Sequence, residues 1–543
     1  LITLIEKRPI LTIIIVVGVL LLPFLGVLEV TIMEARNFVT AREMLVDGNW
    51  MLTTMNGEPR YEKPPLPTWL TAISAWFFGV NSVWSMRFPV VLMVMLLGSM
   101  IYTLSRKLAL TKRNSFINAL VSITTLYVIL IVFEAPWDIY AHAFMLTAIY
   151  CIFKGLSEDT SRGNISTWLI AAICIGASVL SKGPVSLYVL FLPFLIAYLL
   201  VYRSETERRK WLPVVLVLLG GLLLGFSWYG YVRAVDPETF AAIASKETGN
   251  WTSYNVRPFY YYWSFFVQSG LWTIPAFISL LYPYLKTRVS NRKVYRFTFL
   301  WTVIAVILLS IIPEKKSRYL MPVLIPLAMN VGFYVTYLVK RFSELKDRKE
   351  IVPVYFNLGL LFLIFIAAPL VLIYLAVMNT IAVDVIAVIA FLLVFIIAIY
   401  IMRALLRKDI YHVFLLIVLA VICTAIGSLD VLKNNVFNDD YSPFNDEVLE
   451  SSTSLYSFEM GAPEVFWEAG KKIIMIDSLE PVMEDESFYL LLCSDCETIL
   501  AEKFNEYQAT YVQDFDFNYN ARGSRAYKGR KSGKVYEMIL TKK

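Results

Sequence analysis

The residues of this 543-residue chain best placed to do chemistry are carboxylates and cations at the ends of apolar runs. The first group is Thr31-Ile32-Met33-Glu34-Ala35-Arg36, just past an apolar run from Ile10 to Val30. A glutamate at a lipid boundary can act as a general base or bind a sugar hydroxyl. Thr31-x-x-Glu34 is equally a capping box, which needs no function. The second group is Glu134-Ala135-Pro136-Trp137-Asp138, in which Asp138 is either an acid or base or the N-cap of a helix from Ile139. His142 lies one turn further on and could pair with Asp138; a buried, hydrogen-bonded histidine is the preferred reading. His412, the only other histidine, sits in the last apolar run, so a histidine-based zinc site has no support and no metal ligands are assigned.

The cations gather at three places: Arg36, Arg42, Arg60 and Lys63; Lys182, Arg233, Lys246 and Arg257; and Lys315, Lys316 and Arg318. Lys and Arg converging from several loops suit an anion such as a lipid phosphate. The alternative for each is an anchor whose stem snorkels along lipid; that alternative is weakest for Pro313-Glu314-Lys315-Lys316-Ser317-Arg318-Tyr319, which lies between two firm apolar runs. Phe259-Tyr260-Tyr261-Tyr262-Trp263 reads as an interfacial aromatic belt. Cys493-Ser494-Asp495-Cys496 is a lone CxxC, for which a disulfide is the default in an oxidising compartment; Cys151, Cys174 and Cys423 fall in apolar runs and read as packing.

The elements that must hold these residues are set by composition. Hydrophobic residues make up 58% of the chain and charged ones 17%, with mean hydropathy +0.62. Soluble domains are nearer 45–50% apolar and about 25% charged, so this is a polytopic membrane protein. Spans of roughly 20 apolar residues are expected at about 10–30, 83–105, 115–133, 139–156, 166–181, 184–202, 211–231, 259–285, 297–313, 319–339, 353–377, 381–402 and 410–428, about thirteen in all. Short cytoplasmic loops collect Lys and Arg. The clusters at 106–113, 203–210, 286–296, 340–349 and 403–408 share one side only if Leu66–Val80, which opens with Pro64-Pro65-Leu66-Pro67, does not cross. That segment is therefore expected as a helix on the outer surface, and the C-terminus lies outside. The organisation predicted is a membrane domain over 1–429, with a first outer loop at 31–82, and an extracytoplasmic α/β domain over 430–543. In that loop Phe38, Ala41 and Leu45 share one helical face and Gly48 is the helix stop. Strands are expected at 472–476, 488–492 and 534–539.

These motifs resemble a known family. Met33-Glu34-Ala35-Arg36 with Ala41-Arg42-Glu43-Met44, then Gly48-Asn49-Trp50, Asn56-Gly57 and Tyr61-Glu62-Lys63-Pro64-Pro65-Leu66, is similar to the first periplasmic loop of the aminoarabinose (lipid A) transferases. These are bacterial relatives of the protein O-mannosyltransferases among the GT-C membrane glycosyltransferases. Ser181-Lys182-Gly183-Pro184 resembles the family's lysine-glycine turn, and Lys315 through Pro322 its basic-tyrosine motif. The resemblance implies transfer of a sugar from a polyprenyl-phosphate donor to a lipid A-like or other acceptor, at the periplasmic face of a bacterial inner membrane. It implies that Lys63, Lys182, Arg257 and Tyr319 hold the donor phosphate, with Lys315 or Lys316 nearby. Tyr61 and Glu62 support the first-loop site, with Arg36 and Arg318 in the matching motifs. The family's first-loop pattern is Asp-Glu, whereas this chain has Met33-Glu34, which shifts the role of base onto Glu34 and Asp138, with Asp138 preferred. No nucleotide or other cofactor is required by a lipid-borne donor, and a divalent metal is left open. Two other classes of function fit part of the sequence: a protein O-glycosyltransferase using the same donor, and a polyprenyl-glycan transporter or flippase. The latter predicts charges near span midpoints rather than at outer edges.

Overall fold

The computed structural model describes residues 6–541 apart from 135, 158–164, 204–210, 379–380, 436–439, 451–452, 459, 477–485, 494–495 and 497. The basic residues at 208–210 and the centre of the CxxC motif lie outside the described residues. The chain divides into two compact units, one of residues 1–25, 61–67 and 87–430, the other of residues 26–60, 68–86 and 431–543. The first outer loop, grouped in sequence with the membrane domain, thus clusters with the C-terminal residues.

The first unit is helical. Among the described residues nine helices are long and apolar enough to cross a membrane, or ten if the bent pair Lys112–Ile123 and Leu126–Glu134 is one span. Pro9–Phe24 and Leu187–Tyr202 are apolar but shorter. The stretch 259–285, expected as one span, is instead a chain of short turns: Phe259–Tyr262, Phe265–Trp272, Thr273–Ser279 and Tyr282–Leu285. Its hydropathy is that of a span, but Gly270 takes φ +64° and ψ −115°, and a proline stands at 258, 275 and 283. Each proline lacks a backbone donor and weakens a regular ladder, and the non-helical angles at Gly270 break it. Helix Ile165–Lys182 packs tightly on Trp211–Val235 through small residues. A Cβ at Gly221 would come within 2.6 Å of Ile175, and one at Gly225 within 2.5 Å of Val179. Close backbone approach through glycine is a common way for membrane helices to associate. Asn330, fully buried, accepts from Thr298 (2.6 Å) and donates to Thr302 (2.9 Å), so its amide is satisfied between two helices.

The second unit combines the helices Ile32–Val46 and Leu66–Phe78 with two sheets. The second helix, at 13 residues, is shorter than a span. Asn56 and Gly57 both take positive φ and turn the hairpin of β1 (Thr54–Met55) and β2 (Glu58–Pro59). The other strands are β3 (Leu455–Phe458), β4 (Ile474–Ile476), β5 (Ser487–Cys493), β6 (Tyr507–Asp516) and β7 (Ser532–Leu540). They form one mixed sheet in the order β4-β3-β5-β7-β6, parallel across β4, β3 and β5 and antiparallel thereafter. Helix Ile32–Val46 buries more than the one face its pattern predicts. Phe38 stacks edge-on against Trp467 at 5.2 Å. On the polar side Asn37 exchanges hydrogen bonds with Thr71 and Thr68, and Arg42 donates to the Phe466 and Trp467 carbonyls at 2.7 and 3.1 Å. The Asn56 side chain pairs with both backbone groups of Ile473, at 2.7 and 2.8 Å. The Cys493–Cys496 disulfide forms at the end of β5.

Candidate active site

The candidate site in the first unit is built where three helices begin or end. Helix Pro136–Ser157 starts on Pro136, a residue preorganised for a first helical turn. Asp138 therefore sits inside that turn rather than at the N-cap. Helix Ile165–Lys182 is stopped by Gly183 at φ +69° with Pro184 behind it, which leaves Lys182 as its last helical residue. The two helices are joined by a hydrogen bond from Ser178 to the Ala141 carbonyl (2.7 Å), and Lys182 meets Asp138 in an ion pair. Asp138 is 2% exposed and Lys182 14%. The second Asp138 oxygen, Oδ2, is buried without a hydrogen-bond partner among the described residues. His142 Nε2 lies 3.8 Å from Asp138 Oδ1, and its Nδ1 is 2.9 Å from Ser186 Oγ. It is thus the buried, hydrogen-bonded histidine expected. Ser186 immediately precedes a π turn over Leu187–Phe191, a local irregularity often found near functional sites.

Around this pair stand the cations of the other segments. Lys182 Nζ lies 5.2 Å from the centre of the Tyr319 ring, and Arg318 and Lys63 are the other cations acting on it. Tyr319 donates to Glu314 Oε1 (3.2 Å), which also pairs with Lys316 at 2.6 Å. Lys316 lies over the Tyr254 ring at 4.9 Å, and its backbone is fixed by the hydroxyl of fully buried Tyr262. Tyr262 therefore leaves the aromatic belt, whose other four members are exposed. Residues 255–257 run antiparallel to 313–315: Arg257 N–H donates to the Pro313 carbonyl (3.3 Å) and Lys315 N–H to the Asn255 carbonyl (3.1 Å). This brings Arg257 beside the basic-tyrosine segment, with its side chain exposed. Lys315 differs from Lys316: it is buried, its ammonium is spent on the Ile312 carbonyl, and burial lowers its pKa.

Lys63 pairs with Glu247 at 3.3 Å, on helix Pro237–Ser253, and Tyr61 donates to Asp236 at 3.0 Å just before that helix. Burial, with this hydrogen bond, pushes the Tyr61 hydroxyl up to about 12. Hydrogen bonds from Thr239 and Tyr61 hold Asp236 below its ordinary value. Glu62 Oε2 and Arg318 Nε are buried without hydrogen-bond partners among the described residues. Glu247, Asp236 and Ser186 carry no motif in sequence that would have marked them.

The remaining predicted residues lie in the second unit. Glu34 is fully buried and forms the capping box: Thr31 N–H donates to Glu34 Oε2 at 3.0 Å, and Glu34 N–H to Thr31 Oγ1 at 3.3 Å. Arg36 is half-buried on the same helix. Arg42 and Arg60 are buried, on the Phe466–Trp467 carbonyls and on Thr40 (3.0 Å), so they do not belong to an outer anion cluster.

The helical unit and the mixed sheet together match solved structures. ArnT from Cupriavidus metallidurans superposes with a TM-score of 0.66 with undecaprenyl phosphate bound and 0.65 in the apo state, covering 96% of both chains at 16% identity. This is a polytopic α-helical membrane protein of the GT-C fold with a mixed β-sheet in its C-terminal residues. The family model described as dolichyl-phosphate-mannose-protein mannosyltransferase matches residues 62–228. The chain is 25% identical over 315 residues to the undecaprenyl phosphate-alpha-4-amino-4-deoxy-L-arabinose arabinosyl transferase of Photorhabdus laumondii, covering 56% of this chain and 55% of that protein. It is 27% identical over 290 residues to an uncharacterized protein of Aquifex aeolicus, covering 52% and 55%. It is thus similar over part of its length to aminoarabinose and protein-mannosyl transferases, and the chain spans about half the length of the curated relatives it matches.

Proposed function

We propose that this chain is a glycosyltransferase that moves a sugar from a polyprenyl-phosphate donor to an envelope lipid of the lipid A type, at the periplasmic face of a bacterial inner membrane. The observation that carries the reading is the buried Asp138–Lys182 pair with Tyr319, Lys63 and Arg318 around it, assembled from three distant parts of the chain. Its cations stand at helix ends rather than at span midpoints, which favours a surface reaction over a transport path. The likeness to the ArnT fold and to the arabinosyl transferases points to the same donor class. Thirteen passages follow on this reading if, beside the nine long apolar helices among the described residues, the bent pair, Pro9–Phe24, Leu187–Tyr202 and the broken 259–285 segment are each counted as a crossing.

The chemistry is a substitution at the anomeric carbon. An acceptor oxygen forms a bond to that carbon while the bond to the phosphate oxygen breaks, its electron pair leaving with the polyprenyl phosphate. Lys63, Lys182, Arg257, Lys316 and Arg318, with the Tyr319 hydroxyl, stabilise the charge that develops on the phosphate. Asp138 takes the acceptor proton through its unpartnered Oδ2. Glu34 is assigned to the cap of its helix rather than to the base, because its carboxylate is occupied by Thr31. The donor arrives activated, so the reaction needs no nucleotide. The test is mass spectrometry of envelope lipids and proteins from cells with and without the chain. A pentose- or hexose-sized increment on a lipid, lost with the chain, is expected; an increment confined to proteins would make the acceptor a polypeptide, and no change in either would refute the transfer.

A further inference from the structure

Behind the Asp138–Lys182 pair lies a polar layer to which the transfer chemistry gives no role. Asp138 and His142 stand one turn apart on the same face of helix Pro136–Ser157. Lys182 and Ser186 flank the Gly183–Pro184 turn that ends the neighbouring helix. The four side chains form one row. Lys182 pairs with Asp138 Oδ1, His142 Nε2 lies 3.8 Å from the same oxygen, and Ser186 Oγ lies 2.9 Å from His142 Nδ1. His142 is 1% exposed and Ser186 fully buried. Neither side chain has another hydrogen-bond partner among the described residues.

These contacts decide which ring nitrogen carries the hydrogen. The ring is neutral, because the Lys182 ammonium already balances the Asp138 carboxylate and a second cation would stand unpaired in a buried site. With the hydrogen on Nδ1, the ring would donate to Ser186. The buried Ser186 hydroxyl would then have no acceptor for its own hydrogen, and the bare Nε2 lone pair would face a carboxylate oxygen. With the hydrogen on Nε2, Ser186 donates to Nδ1 and the Nε2–H is turned toward Asp138. Only the second arrangement leaves no buried donor idle and no two lone pairs opposed. We propose that His142, held by Ser186 as the Nε2–H tautomer, is a positioning residue for Asp138. With Lys182 it occupies Oδ1 and fixes the rotation of the carboxylate, so that Oδ2, buried without a partner among the described residues, is the oxygen left for the acceptor proton. The 3.8 Å separation exceeds a hydrogen bond, and contacts of this kind tighten when substrate binds. This role rests on Asp138 being the base of the proposed transfer.

The chain has two histidines, and the other, His412, is exposed beside Asp409. His412→Gln therefore leaves one imidazole, whose tautomer is read directly by nitrogen NMR of the full chain, histidine-labelled, in nanodiscs. A neutral ring with its hydrogen on Nε2 is expected. The Nδ1–H form, or an imidazolium at neutral pH, would overturn the proposal whatever the activity. Turnover is then followed with undecaprenyl-phosphate-linked aminoarabinose and lipid A. His142→Phe keeps a ring but removes the N–H, and should lower kcat per folded molecule about ten- to hundred-fold, with the donor KM within a few-fold of wild type. His142→Gln, whose amide can place an N–H where Nε2–H stood, should recover most of that loss. A merely structural histidine would lower the thermal midpoint and leave kcat per folded molecule unchanged. Wild-type kcat in His142→Phe, or no recovery in folded His142→Gln, would overturn the proposal. A wild type that turns over no donor would refute the transfer reading and this role with it, an outcome told apart by a tautomer still visible in the spectrum.

Discussion

Asp138 and Lys182 form a buried ion pair. The ion pair is desolvated, so it is strong only while both partners are present. Removing one partner of a buried pair typically costs about 3–5 kcal/mol. Lys182→Ala is therefore expected to lower the thermal midpoint sharply, whereas Lys63→Ala, whose pair with Glu247 is about one-third exposed, should cost under about 1 kcal/mol. Differential scanning of the two variants in detergent separates them, and equal midpoints would contradict the burial argument. The carboxylates separate in the opposite sense. Asp138→Asn keeps the shape of the site but cannot take a proton, and should lose at least ~100-fold in turnover. Glu34→Gln weakens a capping box, worth about 0.5–2 kcal/mol, and should leave turnover within a few-fold of wild type once folded. The reverse ranking in a turnover assay would move the base to Glu34. At this scale the sequence was informative where a residue type has one chemical use: Lys182 in its Lys-Gly-Pro turn, Tyr319 after paired lysines. It was silent on Glu247, Asp236 and Ser186, which are ordinary surface or helix residues until the fold brings Lys63, Tyr61 and His142 to them. The choice between Lys315 and Lys316 was equally invisible, since it depends on which way each points from an extended segment.

At the scale of elements, hydropathy alone located most helices of the first unit but not their breaks. A window average over 259–285 cannot distinguish a span from a string of short turns of the same composition, because the breaks, the backbone angle at Gly270 among them, leave hydropathy unchanged. An alanine there would face both the strain of positive φ and a Leu126 contact at 2.6 Å. Gly270→Ala is therefore expected to destabilise the chain by about 1–3 kcal/mol, read as a lower thermal midpoint; an unchanged midpoint would mean the break is not fixed. In the second unit β5 and β7 were visible as apolar runs. β6 (Tyr507–Asp516) was not, since half of its residues stay exposed at the sheet edge. The polar face of Ile32–Val46 looked solvated and is buried, because its Asn37 and Arg42 find partners in sequence-distant segments.

At the scale of the molecule, loop charge decides sidedness. Cysteines introduced at Ser290 and Glu58, both exposed, should respectively resist and accept an impermeant thiol reagent in intact spheroplasts; labelling at Ser290 alone would invert the topology. The central claim, that the Asp138–Lys182 centre transfers a sugar off a polyprenyl phosphate, is tested most directly by release of the carrier. Purified chain, undecaprenyl-phosphate-linked aminoarabinose and lipid A would be followed for free undecaprenyl phosphate and glycosylated lipid together. The account predicts equal amounts of the two products, with both falling at least ~100-fold per folded molecule in Asp138→Asn, whose thermal midpoint also falls because one charge of the buried pair is lost. Carrier release and lipid glycosylation at wild-type rates in Asp138→Asn would contradict it.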